Sequence, residues 1–213
     1  MASIGRILDE PEQLDDESLR FMCDGFLLCW LLTLLGRKKV RRYSFDFSSL
    51  APEVFAWAEA QQKRLYLVGS QSEEIDRFVD KLKSHYPKLI IVGFHQGYMD
   101  TAQRSDLIED IIRSRADLIL AGLGSGLQED FLCDAIRAGY RGDGFTCGGF
   151  IRQTALSSGL RYYPRWFNKL GIRWVYRMIR EPHTIKRYLL VYPINMLRLI
   201  GLVVRRRHIL SIE

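Results

Sequence analysis

The chain has 213 residues, 47% of them hydrophobic, so it is long enough for one domain with a buried core and a further extension. Its 31 Lys and Arg residues against 25 Asp and Glu residues give a net charge of +6. Four cysteines without clustered spacing exclude a disulfide framework and a structural zinc site, and they indicate a reducing compartment.

The N-terminal region lacks the sequence features of a secretory signal and of a membrane span. Residues 1–17 are polar and acidic, unlike a signal peptide. The apolar run FLLCWLLTLL, residues 26–35, falls well short of the roughly 20 residues that a transmembrane helix needs. We therefore expect this run to be a buried helix and the protein to stay in the cytosol.

Four short apolar runs alternate with segments that have apolar residues at helical spacing. The runs are RLYLVG (64–69), LIIVGF (89–94), DLILAGLG (117–124) and GFTCGG (144–149). Strands of this kind, each followed by a single helix, are typical of a parallel sheet covered by helices on both faces. The predicted fold class is therefore α/β, with a Rossmann-like parallel sheet flanked by helices.

The carboxyl ends of these predicted strands are the expected ligand site, because ligands of such sheets bind beyond the ends of the strands. Glycines and side chains that form hydrogen bonds end or follow the runs. We take them as candidates for substrate binding: Gly69 and Ser70, then His95, Gly97 and Tyr98, then Gly124, Gln128 and Glu129, and finally Gly148 and Gly149.

The segment GLGSGLQEDF, residues 122–131, fits neither common nucleotide-binding motif. A P-loop requires Lys and then Ser or Thr where this chain has Leu127 and Gln128. Its glycines follow G-x-G-x-G rather than the dinucleotide pattern G-x-G-x-x-G. From these residues alone, a tight strand-to-helix turn without a ligand is an equally good interpretation.

The C-terminal quarter is strongly basic. Between residues 161 and 208, twelve Lys and Arg residues are opposed by Glu181 alone. Aromatic and apolar residues accompany this charge, which favours a helix lying in an anionic membrane interface. A helix packed on the domain with a solvated basic face is the structural alternative, and nucleic-acid binding is a weaker one. We predict a core domain at residues 1–160 and a basic, helical, membrane-associating appendage at residues 161–213.

Several phrases of the sequence occur in an order that characterises one enzyme family. Residues 164–187, PRWFNKLGIRWVYRMIREPHTIKR, resemble the signature P-x-x-x-x-K-L-G-x-E-W-x-Y-R-L-x-x-E-P-x-R-x-x-R. LYLVGS (65–70), GFHQGYM (93–99) and GSGLQE (124–129) are similar to a hydrophobic-Gly-Gly phrase, a G-x-x-x-G-Y-F phrase and a G-x-P-K-Q-E phrase. Residues 23–47 resemble P-D-G-x-G followed by a helix and V-x-G-x-D-L. Together they resemble the WecG/TagA/CpsF glycosyltransferases, glycosyltransferase family 26.

The resemblance implies an inverting glycosyltransferase without a bound metal or other cofactor. Members of this family move a sugar from a nucleotide-diphosphate donor to a polyprenyl-diphosphate-linked saccharide at the inner face of the bacterial membrane. The implied partners are that donor, that acceptor and the anionic surface of the inner membrane, with no nucleic acid, and homo-oligomers are compatible with the family. The implied role is synthesis of exopolysaccharide, capsule or another cell-surface glycan.

The resemblance also assigns roles to individual residues. Asp24 matches the aspartate of the D-G motif, which implies a general base that takes the proton of the acceptor hydroxyl. From the residues alone, Asp24 is equally suited to cap the following helix. Arg177 and Arg187 match two of three C-terminal arginines and are expected to neutralise diphosphate, as a metal does in other transferases. Thr184 stands in place of the third arginine, so Lys186 or Arg180 would have to supply that charge.

Further matches point to substrate binding. Asp46 lies in the phrase that resembles V-x-G-x-D-L, Gln128 and Glu129 match the Q-E pair expected at the nucleotide-sugar site, and Gly148 and Gly149 match a glycine pair.

Departures from the family pattern affect the expected donor. FIRQTA, residues 150–155, replaces a G-S-F-D phrase, Gly126 and Leu127 replace Pro-Lys, and Arg173 replaces a Glu. The donor is therefore expected to differ from N-acetylmannosamine. The chain starts beyond the place of a family strand ending in T-P-N, which indicates a misassigned start or a shortened form with altered or lost activity. A degenerate member that binds or scaffolds within a polysaccharide assembly complex is the alternative function.

Overall fold

The computed structural model describes residues 20–36, 39–164, 166–167 and 170–205. They form two compact units. One is Phe45–Tyr162, and the other consists of the described parts of Met1–Ser44 and Tyr163–Glu213. The predicted division of the protein into residues 1–160 and 161–213 stays a prediction.

Helices and strands alternate through the first of these units, as the apolar runs predict. In chain order, the described helices and strands of the protein are α1 (Phe26–Gly36), α2 (Leu50–Ala60), β1 (Arg64–Gly69), α3 (Ser72–His85), β2 (Ile90–His95), α4 (Thr101–Arg113), β3 (Leu118–Gly122), α5 (Leu127–Arg137), β4 (Asp143–Thr146), α6 (Phe150–Leu156), α7 (Arg173–Arg180) and α8 (Tyr192–Arg205). A 3₁₀ turn (Pro182–Thr184) and a π-helical segment (Arg187–Val191) separate α7 from α8.

The four strands form one parallel sheet in the order β2-β1-β3-β4. The two central strands, β1 and β3, are almost wholly buried, because they are covered on both faces. The α/β fold with a parallel sheet flanked by helices is therefore confirmed. Its strands differ by only a few residues from the apolar runs of the sequence.

Alternate residues of the central strands belong to two separate cores. Leu65 and Leu67 of β1 face a core with α2, α3 and α6, and Phe55 and Phe150 belong to the same cluster. Tyr66 and other residues of the opposite parity face a second core with α4 and α5. This alternation follows from the two-residue period of a strand. It places the helices that follow β1 and β3, α3 and α5, on opposite faces of the sheet.

Helices α3 and α6 are joined by one lysine in addition to their apolar contacts. The Lys81 ammonium of α3 donates to the carbonyls of Thr154 (2.8 Å), Ala155 (3.1 Å) and Ser157 (2.6 Å) at the end of α6. Carbonyls near a helix C-terminus lack some of their partners within the helix, and this lysine donates to two carbonyls in the last turn of α6 and to one just after it. Lys81 therefore fixes the end of α6 against α3.

In the second unit, the apolar run of residues 26–35 forms helix α1, as predicted, but it is not fully buried. Leu28, Cys29 and Leu31 are buried, whereas about 60% of the surface of Phe26, Trp30 and Leu34 is exposed (64%, 58% and 62%). A helix that is apolar on all sides buries only the side that meets the rest of its unit. The expectation of a buried helix is thus correct for one face of α1 and wrong for the other.

The C-terminal part of this unit is helical but interrupted. Helix α7 ends at Arg180, just before Pro182, which has no N–H to continue a helix. Among the described residues, no helix combines the length and the apolar character required to cross a membrane.

Candidate functional site

The carboxyl edge of the sheet has its topological switch point between β1 and β3. These two strands are neighbours in the sheet, and the chain leaves them toward helices on opposite faces. The loops that follow β1 and β3 therefore diverge, and in sheets of this class ligands bind where such loops diverge. Predicted site residues lie at or beyond the ends of both strands at this edge: Gly69 at the end of β1 and Ser70 after it, and Gly124, Gln128 and Glu129 after β3.

Two glycines are required by the close approach of the strand ends. Gly69 has φ +149°, and a Cβ built on it would lie 2.7 Å from the carbonyl oxygen of Gly122 at the end of β3. A Cβ on Gly97 would lie 3.0 Å from the Gly69 Cα, and the Gly97 N–H donates to the Ser70 carbonyl at 2.8 Å. The structure thus brings the predicted residues Gly69, Ser70 and Gly97 together at the end of β1.

Gln128 and Glu129 organise the loop after β3. Gln128 is 7% exposed, its Oε1 accepts the N–H of Gly148 at 2.9 Å, and its Nε2 donates to Glu129 Oε1 at 3.1 Å. Glu129 Oε2 accepts the N–H of Gly126 at 2.7 Å, which caps the start of α5. Gln128 therefore links the loop after β3 to the loop after β4, and the predicted residues Gln128, Glu129 and Gly148 form one network. Their contact with a nucleotide sugar stays a prediction.

The remaining candidates of this unit lie at strand ends or before α2. His95 Nδ1 is 2.7 Å from the Gln96 carbonyl at the end of β2, and the nearby Tyr98 is exposed. Gly149 precedes α6, and its carbonyl accepts the N–H of Gln153. Gly124 has φ +89°. Asp46 accepts the N–H of Ser48 at 2.7 Å in the turn before α2.

An ion pair that the sequence analysis missed also lies at the carboxyl edge. Glu74, in the first turn of α3, is buried, and its Oε1 is 3.2 Å from Arg152 Nε of α6. Its Oε2 accepts hydrogen bonds from the Ser70 hydroxyl and from the Gln71 N–H. Glu74 thereby connects the end of β1 to α6. No local sequence pattern marks this pair, because its members are far apart in the chain.

In the second unit, Asp24 lies two residues before the start of α1. Its Oδ1 is 3.4 Å from Arg42 Nη1, and 64% of the Asp24 side chain is exposed. The carbonyl of the preceding residue, Cys23, accepts the N–H of Tyr43 at 2.8 Å, so the segment before α1 is hydrogen-bonded to the chain next to Arg42. The side chain of the predicted general base is therefore largely exposed.

Arg177 of α7 is held beside an acidic and an aromatic residue. Its Nε is 3.2 Å from Glu181 Oε2, and both side chains are largely buried. Burial alone lowers the pKa of the Arg177 guanidinium, but the neighbouring Tyr163 and Glu181 outweigh it, so that the pKa is raised. Arg177 is accordingly a permanent cation. Thr184, in place of the third family arginine, is fully buried and donates to the Glu181 carbonyl at 2.7 Å.

Tyr163, which was not found from the sequence, lies within electrostatic range of two catalytic candidates, Asp24 and Arg177. Burial raises the pKa of its phenol, Arg177 lowers it, and Asp24 raises it, so both charges lie within electrostatic reach of this one side chain. The Arg173 guanidinium lies 4.9 Å from the centre of the Tyr163 ring. Asp24 and Arg177 therefore both act electrostatically on this tyrosine. For Arg187, the third predicted catalytic residue, the structure describes the backbone only, at the start of the segment Arg187–Val191.

Two cysteines, one on each side of Asp24 in the sequence, are in contact, which their spacing did not predict. The Cys29 Sγ lies 2.7 Å from the Cys23 Sγ, and both are free thiols. Burial raises the pKa of the Cys23 thiol, and its contact with Cys29 raises it further. Across the part of the chain that the structure describes, no group of three or more His, Cys, Asp or Glu side chains is arranged to hold a metal ion.

The sequence is similar to those of known glycosyltransferases. The profile of the Glycosyl transferase WecG/TagA/CpsF family matches residues 13–209. A UDP-Gal:alpha-D-GlcNAc-diphosphoundecaprenol beta-1,4-galactosyltransferase of Shigella boydii is 33% identical over 178 residues, which are 84% of this chain and 74% of that relative.

A second relative is an N-acetylglucosaminyldiphosphoundecaprenol N-acetyl-beta-D-mannosaminyltransferase of Bacillus subtilis (strain 168). It is 28% identical over 137 residues, which are 64% of this chain and 52% of that relative, so the match spans about half of its length. The family match covers nearly all of this chain and includes both the carboxyl edge of the sheet and the cluster around Tyr163. The chain therefore belongs to the WecG/TagA/CpsF family of glycosyltransferases.

Proposed function

We propose that this protein transfers a hexose, with inversion, from a nucleotide-diphosphate donor to a polyprenyl-diphosphate-linked saccharide during synthesis of a bacterial cell-surface glycan. The observation that carries the proposal is the 33% sequence identity, over 84% of the chain, with a relative named for a UDP-Gal donor and a GlcNAc-diphosphoundecaprenol acceptor. The second relative is named for the same kind of acceptor and a different sugar. We therefore propose GlcNAc-diphosphoundecaprenol as the acceptor and UDP-galactose as the first donor to test.

We assign different steps of the transfer to the residues at the carboxyl edge of the sheet and to Asp24 and Arg177. The switch point between β1 and β3 binds the nucleotide diphosphate, with the Gln128 network holding its loops. Asp24 takes the proton of the acceptor hydroxyl while that oxygen attacks the anomeric carbon. The bond from the anomeric carbon to the donor diphosphate breaks in the same step, and Arg177 stabilises the charge on the departing nucleoside diphosphate.

A transfer assay with purified full-length protein tests this proposal. Synthetic GlcNAc-diphosphoundecaprenol is incubated with radiolabelled UDP-galactose, UDP-glucose, UDP-GlcNAc or UDP-ManNAc, and the lipid product is separated by chromatography. We expect label in the lipid fraction for a UDP-hexose, and a product that a β-galactosidase cleaves if the sugar is galactose. Binding of donors without transfer of any of them would contradict the proposal and favour the scaffolding alternative.

We further propose that the second unit holds the enzyme at the inner face of the membrane. Its described helices expose aromatic and large aliphatic side chains, among them Trp30 of α1, Trp174 of α7, and Ile194 and Leu197 of α8. The chain between residues 161 and 208 is also strongly basic. Apolar side chains inserted at the level of the lipid headgroups, together with arginines facing anionic lipids, are the requirements for interfacial binding.

Vesicle flotation with a triple variant checks this location. Replacing the exposed residues Leu189, Ile194 and Leu197 by glutamine removes part of the apolar surface. We expect binding to phosphatidylglycerol-containing vesicles to fall about tenfold or more, because each inserted side chain contributes on the order of 1 kcal/mol. A control variant carries Trp57→Gln and Leu156→Gln, which remove exposed apolar residues of the Phe45–Tyr162 unit. Equal flotation of the triple variant and the wild type would count against this location.

A further inference from the structure

The ion pair between Arg152 and Glu74 uses only one nitrogen of the arginine. Arg152 presents its Nε to Glu74 Oε1 at 3.2 Å, while 54% of its side chain is exposed, against 12% for that of Glu74. A guanidinium has five N–H donors in a planar fork. Among its contacts with described residues, only Nε of Arg152 is engaged by a protein acceptor. Its terminal nitrogens therefore remain accessible to a ligand.

Glu74 is placed to hold this arginine in a fixed position. A buried carboxylate is costly unless it is paired and hydrogen-bonded. Glu74 meets this requirement with three partners, namely Arg152, the Ser70 hydroxyl and the Gln71 N–H. Two of these partners belong to the loop after β1. The carboxylate therefore fixes the guanidinium relative to the end of β1.

The loop that Glu74 holds forms one side of the switch point. Ser70 has φ +65°, a left-handed conformation that is unfavourable for a residue other than glycine. Such conformations persist where surrounding contacts enforce them, and they concentrate at ligand sites. Here the contacts are the Glu74 hydrogen bond to the Ser70 hydroxyl and the bond from the Gly97 N–H to the Ser70 carbonyl. Arg152 is thus coupled to the loop where a nucleotide is expected.

We propose that Arg152 binds the diphosphate group of the nucleotide-sugar donor and that Glu74 is its positioning residue. This inference rests on the proposed function, whose donor site it extends. A fork of two terminal N–H groups matches two oxygens of a diphosphate, and a bidentate contact of this kind is stronger than a contact with a neutral donor. Arg152 lies in FIRQTA, where the chain departs from the family phrase G-S-F-D, so it also distinguishes this protein from the family pattern.

Calorimetric titration of the full chain tests the assignment, with UDP, GDP, dTDP and uridine as probes. We expect Arg152→Gln to weaken the binding of the preferred nucleoside diphosphate about tenfold or more, because a hydrogen-bonded charge is lost, and to leave the binding of uridine unchanged. Arg152→Lys restores less than half of the effect, since an ammonium lacks the fork. Glu74→Gln weakens the binding of the nucleoside diphosphate by a smaller factor than Arg152→Gln does, and it raises the KM for the donor more than it lowers kcat.

The matched control is Arg137→Gln. It removes an exposed arginine that forms an ion pair of similar length, 3.1 Å, with Asp134 on α5. Since Glu74 is buried, circular dichroism checks the fold of each variant, and the half-exposed Arg152 provides the test if Glu74→Gln fails to fold. The inference is overturned if Arg152→Gln binds the nucleoside diphosphate within twofold of the wild type. It is also overturned if the affinity of this variant for uridine falls by the same factor as its affinity for the diphosphate.

Two further outcomes separate this inference from the proposed function and from the lipid acceptor. A wild type that binds UDP but transfers no sugar overturns the proposed function, while a loss of UDP binding in Arg152→Gln still supports the inference. Absence of nucleoside diphosphate binding by the wild type overturns the inference itself. The wild type and Arg152→Gln are also titrated with farnesyl diphosphate. If Arg152→Gln loses affinity for this lipid only, Arg152 is assigned to the acceptor, and its assignment to the donor is overturned.

Discussion

The Asp24→Asn variant is expected to lose about a thousandfold in kcat, within the range for removal of a general base, while its affinity for the donor stays unchanged. Asparagine has the size of aspartate but cannot take the proton of an acceptor hydroxyl. The Asp24 side chain is mostly exposed and its pair with Arg42 is 3.4 Å long, so the fold loses little when the charge is removed. The measurement is steady-state transfer together with donor titration of the same sample.

Two controls isolate the carboxylate of Asp24. Arg42→Gln removes the same ion pair but keeps the carboxylate, so we expect it to retain most of the activity. Asp76→Asn makes the same chemical change at an exposed position on α3 and is expected to behave as the wild type. Turnover of Asp24→Asn near the wild-type level would remove Asp24 as the base, and equal losses in Asp24→Asn and Arg42→Gln would assign its effect to the ion pair.

The second large effect is expected for Arg177→Gln, which should lower kcat by about two to three orders of magnitude. The variant loses a permanent cation whose role is to stabilise the charge that develops on the departing diphosphate. Arg177→Lys should recover only part of the activity, because an ammonium does not form the bidentate contact. Single-turnover transfer with saturating donor measures the step directly.

Because Arg177 is largely buried beside Glu181, its loss also leaves a carboxylate without this partner. Chemical unfolding of each variant is therefore measured alongside activity. Glu181→Gln breaks the same pair but retains the cation, and Arg137→Gln removes an exposed arginine elsewhere. A kcat loss in Glu181→Gln as large as that in Arg177→Gln, with matching destabilisation, would show that the pair has a structural role only.

The sheet was predictable because its signal is local. The runs that became β1 and β3 are apolar at nearly every position, as strands buried on both faces must be. Parallel strands end at a common edge, so the sequence also predicted that Gly69 and Gln128 would lie at one rim. Chain order alone did not predict that Gln128 would bond to Gly148, because that contact depends on β3 and β4 being neighbours.

The parts that sequence reasoning missed depend on contacts between distant residues. Glu74 and Arg152 form an ion pair because α3 and α6 pack on the same face of the sheet. Neither helix has a sequence motif that predicts this pair. Tyr163 comes within electrostatic range of Asp24 and Arg177 because the segments before residue 45 and after residue 162 belong to one unit. The run that forms α1 is apolar all round, so its composition could not indicate which face would remain exposed.

The three carbonyls held by Lys81 have a consequence for ligand affinity. Lys81 ties the end of α6 to α3, and Arg152 and Glu74 tie the first turns of the same two helices together. The helices are thus joined at both ends and resist sliding or splaying. The Arg152 guanidinium, held by Glu74 between these two joined helices, has already lost much of its conformational entropy on folding. It therefore loses less when a ligand arrives, and a larger share of its contact energy remains as affinity.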